Sequence, residues 1–338
     1  MNSSLLDSTF LDRLQKCEHK CQYSENRMLY PFSDIAIFHA KDIKMDSIIS
    51  SNQTSNRIHL FFSMEAEPNA RIPKDIPNDF FNLTMTYRKD SDFWIPYDEF
   101  VEIQSHEKNN EKFVWTDKQV NEIIAKKNKL AVQFVSNCDT HSKRETYVSE
   151  LQKLFNLTIY GKCNDQTFPK DAEKEIKEIM EKHFFYLAFE NSVCNEYVTE
   201  KFWNLRNLIV PIVLKRSALN GIIDNEYFIA ADDFASPKEL SEKLINLTQN
   251  LEEYKKYFGW TKKYKKTGAL SFLLREERVQ MFCKLCEIAT KNEKHSIKDI
   301  QKWWKIDSKC EKNFALKIGG IAENSWIERF SISWFNIF

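Results

Sequence analysis

Short apolar runs bounded by polar, turn-forming residues recur along the chain, with stretches of helical spacing between them. Asp34 to His39, Arg57 to Phe62 and Leu83 to Tyr87 read as buried strands joined by helix or loop. Thr116 to Asn128 has a Thr cap and helical spacing. Leu130 to Ser136 fits a buried strand, and Ser142 to Phe155 gathers Tyr147, Leu151, Leu154 and Phe155 on one side of a helix. Thr158 to Gly161 is a short strand entering a turn, and Asp171 to His183 is a charged amphipathic helix. From Phe184 the chain runs through an aromatic strand, the polar turn Glu190-Asn191-Ser192, a helix beginning near Tyr197, and a second apolar run from Leu208 to Leu214. Phe228 to Phe234 is followed by Ser236-Pro237, which opens a helix through Leu247, and helical periodicity returns over Leu270 to Ala289. Alternating strands and helices predict an α/β protein. Residues 98–112 are charged and nearly free of long apolar runs, which suits a linker, so the boundary between two domains is expected there.

The unit spanning Phe184 to Leu214 organises the rest. In strand–helix–strand units a ligand sits beyond the carboxyl end of the first strand, where the next helix presents its positive dipole end. Tyr197, Glu200, Lys201 and Asn204 fall at i, i+3, i+4 and i+7, while Val198, Phe202 and Leu205 form a stripe that can pack on the sheet. Glu200 can accept bonds from sugar or ribose hydroxyls, and Lys201 can neutralise a pyrophosphate. The plainer alternative is a carboxylate that favours the helix dipole beside a solvated lysine.

Composition narrows the classes. The 338 residues are 42% hydrophobic with 26 Phe, enough for two cores. Lys+Arg and Asp+Glu are 49 each, which argues against an electrostatic nucleic-acid binder and makes any anion site local. Neither GxGxxG nor GxxxxGK[ST] occurs. No apolar run approaches the roughly 20 residues of a membrane helix, and Met1 to Phe10 lacks signal-peptide regions. The sequons at Asn2, Asn52, Asn82, Asn156 and Asn246, with 8 cysteines, favour a lumenal, oxidising compartment. Cys283-x-x-Cys286 is open to redox, zinc or disulfide readings together with Cys17 and Cys21. The partners of Cys138, Cys163, Cys194 and Cys310 are not readable from spacing. Asp90-Ser91-Asp92 is an Asp-x-Asp that could hold Mn²⁺ against a nucleotide diphosphate.

Three stretches resemble the α1,3-fucosyltransferase family. They are FENS followed by YVTEKFW in the central unit, FNLTMTYRKDSDFWIPY from Phe81 to Tyr97, and VSNC with Arg144 six residues on. The resemblance covers roughly residues 30–305 and is strongest at 81–97 and 184–205. It implies two facing Rossmann-like domains of the GT-B type, an N-terminal acceptor-binding domain at 1–110 and a C-terminal GDP-fucose-binding domain at 111–305, followed by a tail at 306–338. It implies inverting transfer of fucose from GDP-fucose to the 3-OH of GlcNAc in an N-glycan or Lewis-type acceptor. The compartment implied is the Golgi lumen, with a type II anchor and stem not visible in this chain.

By the same resemblance Ser136, Asn137, Arg144, Asn191, Ser192, Tyr197, Glu200 and Lys201 line the donor pocket. Glu65 corresponds to the presumed base, with Glu67 as a rival because Met64-Glu65-Ala66-Glu67-Pro68 departs from the family's Glu-Ser-Pro. Arg88, Asp90 and Asp92 are expected to form a hydrogen-bonded turn near the cleft, and His39 either borders the acceptor site or is a satisfied core histidine. The family is metal-independent, so no cofactor is expected, although Mn²⁺ could stimulate the reaction. Two disulfides are implied to pin the C-terminal helix to the N-terminal segment. After Leu214 the run Lys215-Arg216-Ser217-Ala218-Leu219-Asn220 replaces the family's Gly and short loop. That departure keeps an inactive glycan-binding homologue in view beside a metal-dependent transferase using Asp90 and Asp92.

Overall fold

Every named strand lies in one of two parallel sheets, and the inner strands, written as continuous apolar runs, are the ones covered on both faces. The computed structural model describes residues 12, 14–44, 57–169, 172–266, 276–291, 297 and 299–321. The sequons at Asn2 and Asn52, the start of the helix expected from Leu270 and the chain after 321 lie outside the described residues. The chain divides into two units, Met1–Asp98 with Gly268–Lys309 and Glu99–Thr267 with Cys310–Phe338.

In the first unit β1 (Ile35–His39), β2 (Ile58–Ser63), β3 (Leu83–Thr86) and β4 (Phe93–Trp94) pair in the order β1-β2-β3-β4. On one face Leu60, Phe62, Leu83, Met85 and Phe93 pack with Leu14 and with Val279, Phe282, Leu285 and Ile288 of the helix Glu276–Lys291. Disulfides Cys17–Cys283 and Cys21–Cys286 fasten the N-terminal segment to that helix. On the other face Phe61 meets Trp304 at 4.9 Å between rings, and the Trp304 indole N–H donates to the Ala70 carbonyl at 2.9 Å. The return of residues 276–309 departs from the expected division at 110, because these apolar faces and two disulfides hold them to the first sheet rather than the second.

In the second unit β5 (Lys129–Phe134), β6 (Leu157–Tyr160), β7 (His183–Leu187), β8 (Val210–Val213) and β9 (Ile229–Ala230) pair in the order β6-β5-β7-β8-β9. The two-residue strands β4 and β9 are too short for any periodicity to announce them. Thr116 caps the helix Asp117–Lys126 through a reciprocal bond with Gln119, and Ser236 caps Pro237–Gln249.

Two expectations are corrected in this unit. The segment read as a linker is packed: Phe100 stacks on Tyr264 at 4.4 Å, the Ile103 N–H donates to the Lys263 carbonyl at 2.9 Å, and Lys265 pairs with buried Glu107 at 2.6 Å. Its charges looked like solvated chain, but partners 150 residues away satisfy them. The helix expected from Tyr197 spans only Glu200–Trp203, extended by a 3-10 turn Asn204–Asn207, because Thr199 caps it and the chain before it is non-helical, with Glu196 at φ 63°. Tyr197 therefore does not share a helix face with Glu200 and Lys201. The stripe Val198, Phe202 and Leu205 is buried as expected. Among the described residues no helix is long and apolar enough to cross a membrane.

Candidate active site

The second sheet reverses direction between β5 and β7, since the chain leaves β5 toward β6 on one side and β7 joins on the other. The crevice beyond the carboxyl ends of such a pair is where open α/β sheets bind ligands. Arg144, first residue of the helix Arg144–Gln152 that follows β5, spans that point. Its Nη1 donates to the Phe189 carbonyl after β7 and its Nη2 to the Asn137 carbonyl after β5 at 3.1 Å. Arg144 is 3% exposed, burial lowers its pKa, and its Nε has no hydrogen-bond partner. Ser142 ties the same two loops, its N–H donating to the Asn191 carbonyl at 2.9 Å and its hydroxyl to the Glu190 carbonyl at 2.7 Å. Ser136 and Asn137 are exposed on the loop after β5. That loop is closed by Cys138–Cys163 and by Gly161, whose φ of +112° and approach to the Val135 carbonyl leave no room for a Cβ.

Beyond β7 lies a charged cluster. Glu190 accepts from the Thr199 N–H at 2.9 Å and from its hydroxyl at 2.8 Å, and lies 3.2 Å from the Lys201 ammonium. Lys201 also reaches Glu200 at 2.9 Å and the Thr199 hydroxyl oxygen at 2.9 Å. The Glu190 side chain is 12% exposed and that of Glu200 63%, so one carboxylate is fixed and the other is free to turn. Burial raises Glu190; at Glu200 it is outweighed by Lys201, which holds that carboxyl below its ordinary value. The two carboxylates in turn raise Lys201 against its own burial. Tyr197 and Ser192 are buried, and with Glu190 and Lys215 they line a cavity of about 20 Å³. Asn191 presents a buried Oδ1 with no hydrogen-bond partner.

The structure thus brings Arg144, Asn191, Ser192, Tyr197, Glu200 and Lys201 to one end of one sheet. Sequence reasoning passed over Glu190 and Thr199. Thr199 carried a readable signal, a Thr directly before a charged first turn. Glu190 stood inside the FENS stretch, but nothing in its spacing set it apart from a surface carboxylate after a strand. The loop after Leu214 is ordered as a 3-10 turn, Arg216–Leu219, with Arg216 paired to Asp233 and its N–H donating to Asp232 at 2.9 Å.

In the first unit, Glu65 follows β2 in a turn closed by Ser63, whose hydroxyl donates to the Glu65 carbonyl at 2.8 Å. Its carboxylate lies 3.5 Å from the Lys41 ammonium. Glu67 opens the turn Glu67–Asn69, and burial pushes its carboxyl up against the opposing charges of Arg71 and Lys305. His39 ends β1 half-exposed, 3.4 Å from Asp42, rather than in the core. Arg88 forks onto Asp90 at 2.9 and 2.6 Å beneath the Trp303 ring, whose indole N–H also donates to Asp90 at 2.9 Å. Asp92 accepts the Thr84 N–H and hydroxyl at 2.8 and 2.7 Å. The two carboxylates thus serve different donors, and among the described residues no group of three or more His, Cys, Asp or Glu could hold a metal. Asn156 and Asn246 are exposed, whereas Asn82 is half-buried with its Oδ1 accepting the His59 N–H at 2.7 Å.

Comparison with known proteins bears on this arrangement. A family model described as glycosyltransferase family 10 (fucosyltransferase) C-term matches residues 124–303, and one described as fucosyltransferase, N-terminal, matches residues 5–98. Alpha-(1,3)-fucosyltransferase fut-1 of Caenorhabditis elegans is 32% identical over 313 residues, covering 90% of this chain and 69% of that protein. Alpha-(1,3)-fucosyltransferase C of Drosophila melanogaster is 28% identical, covering 87% and 71%. A crystal structure of an alpha1,3-fucosyltransferase shares the fold at a TM-score of 0.50 with 16% identity, over 76% of this chain and 78% of that one.

Proposed function

The chain belongs to glycosyltransferase family 10, the fucosyltransferases, and on that premise we propose that it transfers L-fucose from GDP-fucose to the 3-OH of GlcNAc in a glycan, with inversion. The observation that carries this reading is the pair of cations, Arg144 and Lys201, on the two segments that leave β5 and β7 at the reversal of the sheet. A nucleoside diphosphate needs such a pair, because the leaving group gains charge as the glycosidic bond breaks. The exposed Glu200 releases Lys201 to phosphate and turns to a fucose or ribose hydroxyl, while Glu190 stays bound to Thr199 and keeps the ammonium in place.

In the reaction the acceptor oxygen attacks the anomeric carbon and GDP departs with the bonding electron pair. A carboxylate takes the hydroxyl proton, and Glu65 is assigned that role with Glu67 as the comparator. Two cations suffice for the leaving-group charge, and the engagement of Asp90 and Asp92 by Arg88, Trp303 and Thr84 supports a reaction without metal. The donor binds as GDP-fucose, the acceptor is an N-glycan or Lewis-type antenna, and the working compartment is the Golgi lumen, which suits a chain with 8 cysteines in four disulfides.

Calorimetric binding of GDP-fucose against GDP-mannose and UDP-galactose, on the wild-type chain and on Glu200→Ala and Lys201→Ala, tests the reading. Preference for GDP-fucose that is lost in both variants supports it. No binding of any of the three by the folded, disulfide-intact protein refutes it in favour of an inactive homologue. Transfer abolished by EDTA and restored by Mn²⁺ would refute the metal-free mechanism.

A further inference from the structure

Residues 310–321 lie beyond the stretch matched by the family model, which ends at 303, yet they are stitched to the loops after β5, β7 and β8. Cys310 is disulfide-bonded to Cys194, and the Glu311 N–H donates to the Val193 carbonyl at 2.8 Å, both on the loop after β7. The Asn313 N–H donates to the His141 carbonyl and the Ala315 N–H to the Ser142 carbonyl, each at 2.9 Å, on the loop after β5. The helix Phe314–Gly319 then packs against Arg144–Gln152, ending at Gly320 in the left-handed region, φ +62°. At the loop after β8 the Glu311 carboxylate pairs with the Lys215 ammonium, which also sits 5.5 Å above the Phe314 ring. Lys215 lines the same cavity as Glu190, Ser192 and Tyr197. It is also the first residue of the run that departs from the family's pattern after Leu214, so the altered loop and the segment beyond the family model meet in one ion pair.

We propose that Cys310–Gly320 is a strap that positions the nucleotide-sugar site, and that through Glu311 it holds Lys215 as a third cation for the donor's diphosphate. The proposal rests on the fucosyltransferase reading and deepens it. Lys215 carries 24% of its side-chain surface exposed and Glu311 35%, so solvent screening keeps the pair's contribution to stability small. The strap fixes the three loops before donor arrives, which lowers the ordering cost of binding. An ammonium oriented by carboxylate and ring at the strand end adds to Arg144 and Lys201 as charge develops on GDP.

The test is calorimetric binding of GDP and of GDP-fucose to the wild type and to Lys215→Gln, Glu311→Gln, Glu311→Asp and the double variant Cys194→Ser/Cys310→Ser, with thermal midpoints and the KM of donor and acceptor for each. The expectation is a Kd for GDP raised about tenfold in Lys215→Gln and about threefold in Glu311→Gln, the scale of a partly desolvated charge contact. Glu311→Asp is expected to restore most of the loss, donor KM to move while acceptor KM does not, and the midpoints of the three charge variants to stay put. Unchanged GDP affinity in Lys215→Gln and in the disulfide double variant, with wild type binding GDP, overturns the strap while leaving the fucosyltransferase reading intact. A loss of affinity that tracks the thermal midpoint and is not rescued by Asp also overturns it, as a folding effect. Failure of the wild type to bind either nucleotide overturns both.

Discussion

Replacing Lys201 by Met separates what this lysine does for the fold from what it does for the donor. The methionine keeps length and apolar stem but leaves Glu190, with a side chain 12% exposed, facing the Thr199 N–H and hydroxyl alone. At 3.2 Å and an effective dielectric near 20 the Lys201–Glu190 attraction is about 5 kcal/mol before desolvation is charged against it. Breaking a buried pair by removing one partner costs about 3–5 kcal/mol, and the surviving Thr199 bonds put this case at the lower end, about 3 kcal/mol. For a unit of this size that is a fall in thermal midpoint of about 6–12 °C near neutral pH. The double variant Glu190→Gln/Lys201→Met removes the stranded charge and is expected to recover about two-thirds of the loss in scanning calorimetry, following the logic of a double-mutant cycle. Donor affinity is not recovered, because the cation that meets the pyrophosphate is absent from both, and isothermal titration with GDP should show a loss of about a hundredfold in each, the scale of one charge-assisted bond. If Lys201→Met melts within about 1 °C of wild type, or if the double variant is no more stable than the single, the cluster is not a coupled buried pair and the reasoning fails.

Other consequences can be checked alongside. Glu65→Gln is expected to abolish transfer while leaving the Kd for GDP-fucose unchanged, with Glu67→Gln retaining transfer; the reverse pattern assigns the proton to Glu67. Acid stability reports on His183, which is 1% exposed and pushed down to about 4 by burial against an accepting Ile179 carbonyl, with Lys129, Lys127 and Lys182 adding to the shift. The folded chain therefore binds fewer protons than the unfolded one between about pH 6.5 and 4, so this group's contribution is complete above 6.5 and is lost as pH falls, by about 3 kcal/mol. Urea unfolding across that window should show the decline and His183→Asn should flatten it; a wild-type profile already flat there would sink the assignment.

Much of the fold was legible because parallel strands buried on both faces must be written as apolar runs, and β2, β3, β7 and β8 were, whereas β1, expected to be buried, is an edge strand with no buried residue and β6 is largely half-buried. The helix after Thr116 and the one after Ser236 were legible for a local reason as well, the capping residue that precedes each. At the site, the chain's wording marked out Arg144, Tyr197, Glu200 and Lys201 as belonging together. It could not say that Tyr197 lies off the helix, because Thr199 and the positive φ at Glu196 set where that helix begins and spacing only assumes it. Nor could it reveal Glu190 as the fixed partner of Lys201, Glu107 as the partner of Lys265, or Glu311 as that of Lys215. Those pairs depend on which distant loops the sheet order brings to one end, and a carboxylate's partner leaves no trace in its own neighbours. The two disulfides between the C-terminal helix and the N-terminal segment were implied by the family resemblance and are present, whereas the apolar face that seats this helix on the first sheet shows only in the fold. The sequence alone determined most of the longer strands and the capped helices, since these follow from local pattern. Only tertiary structure decided which charges meet, since that follows from the order in which strands are laid beside one another.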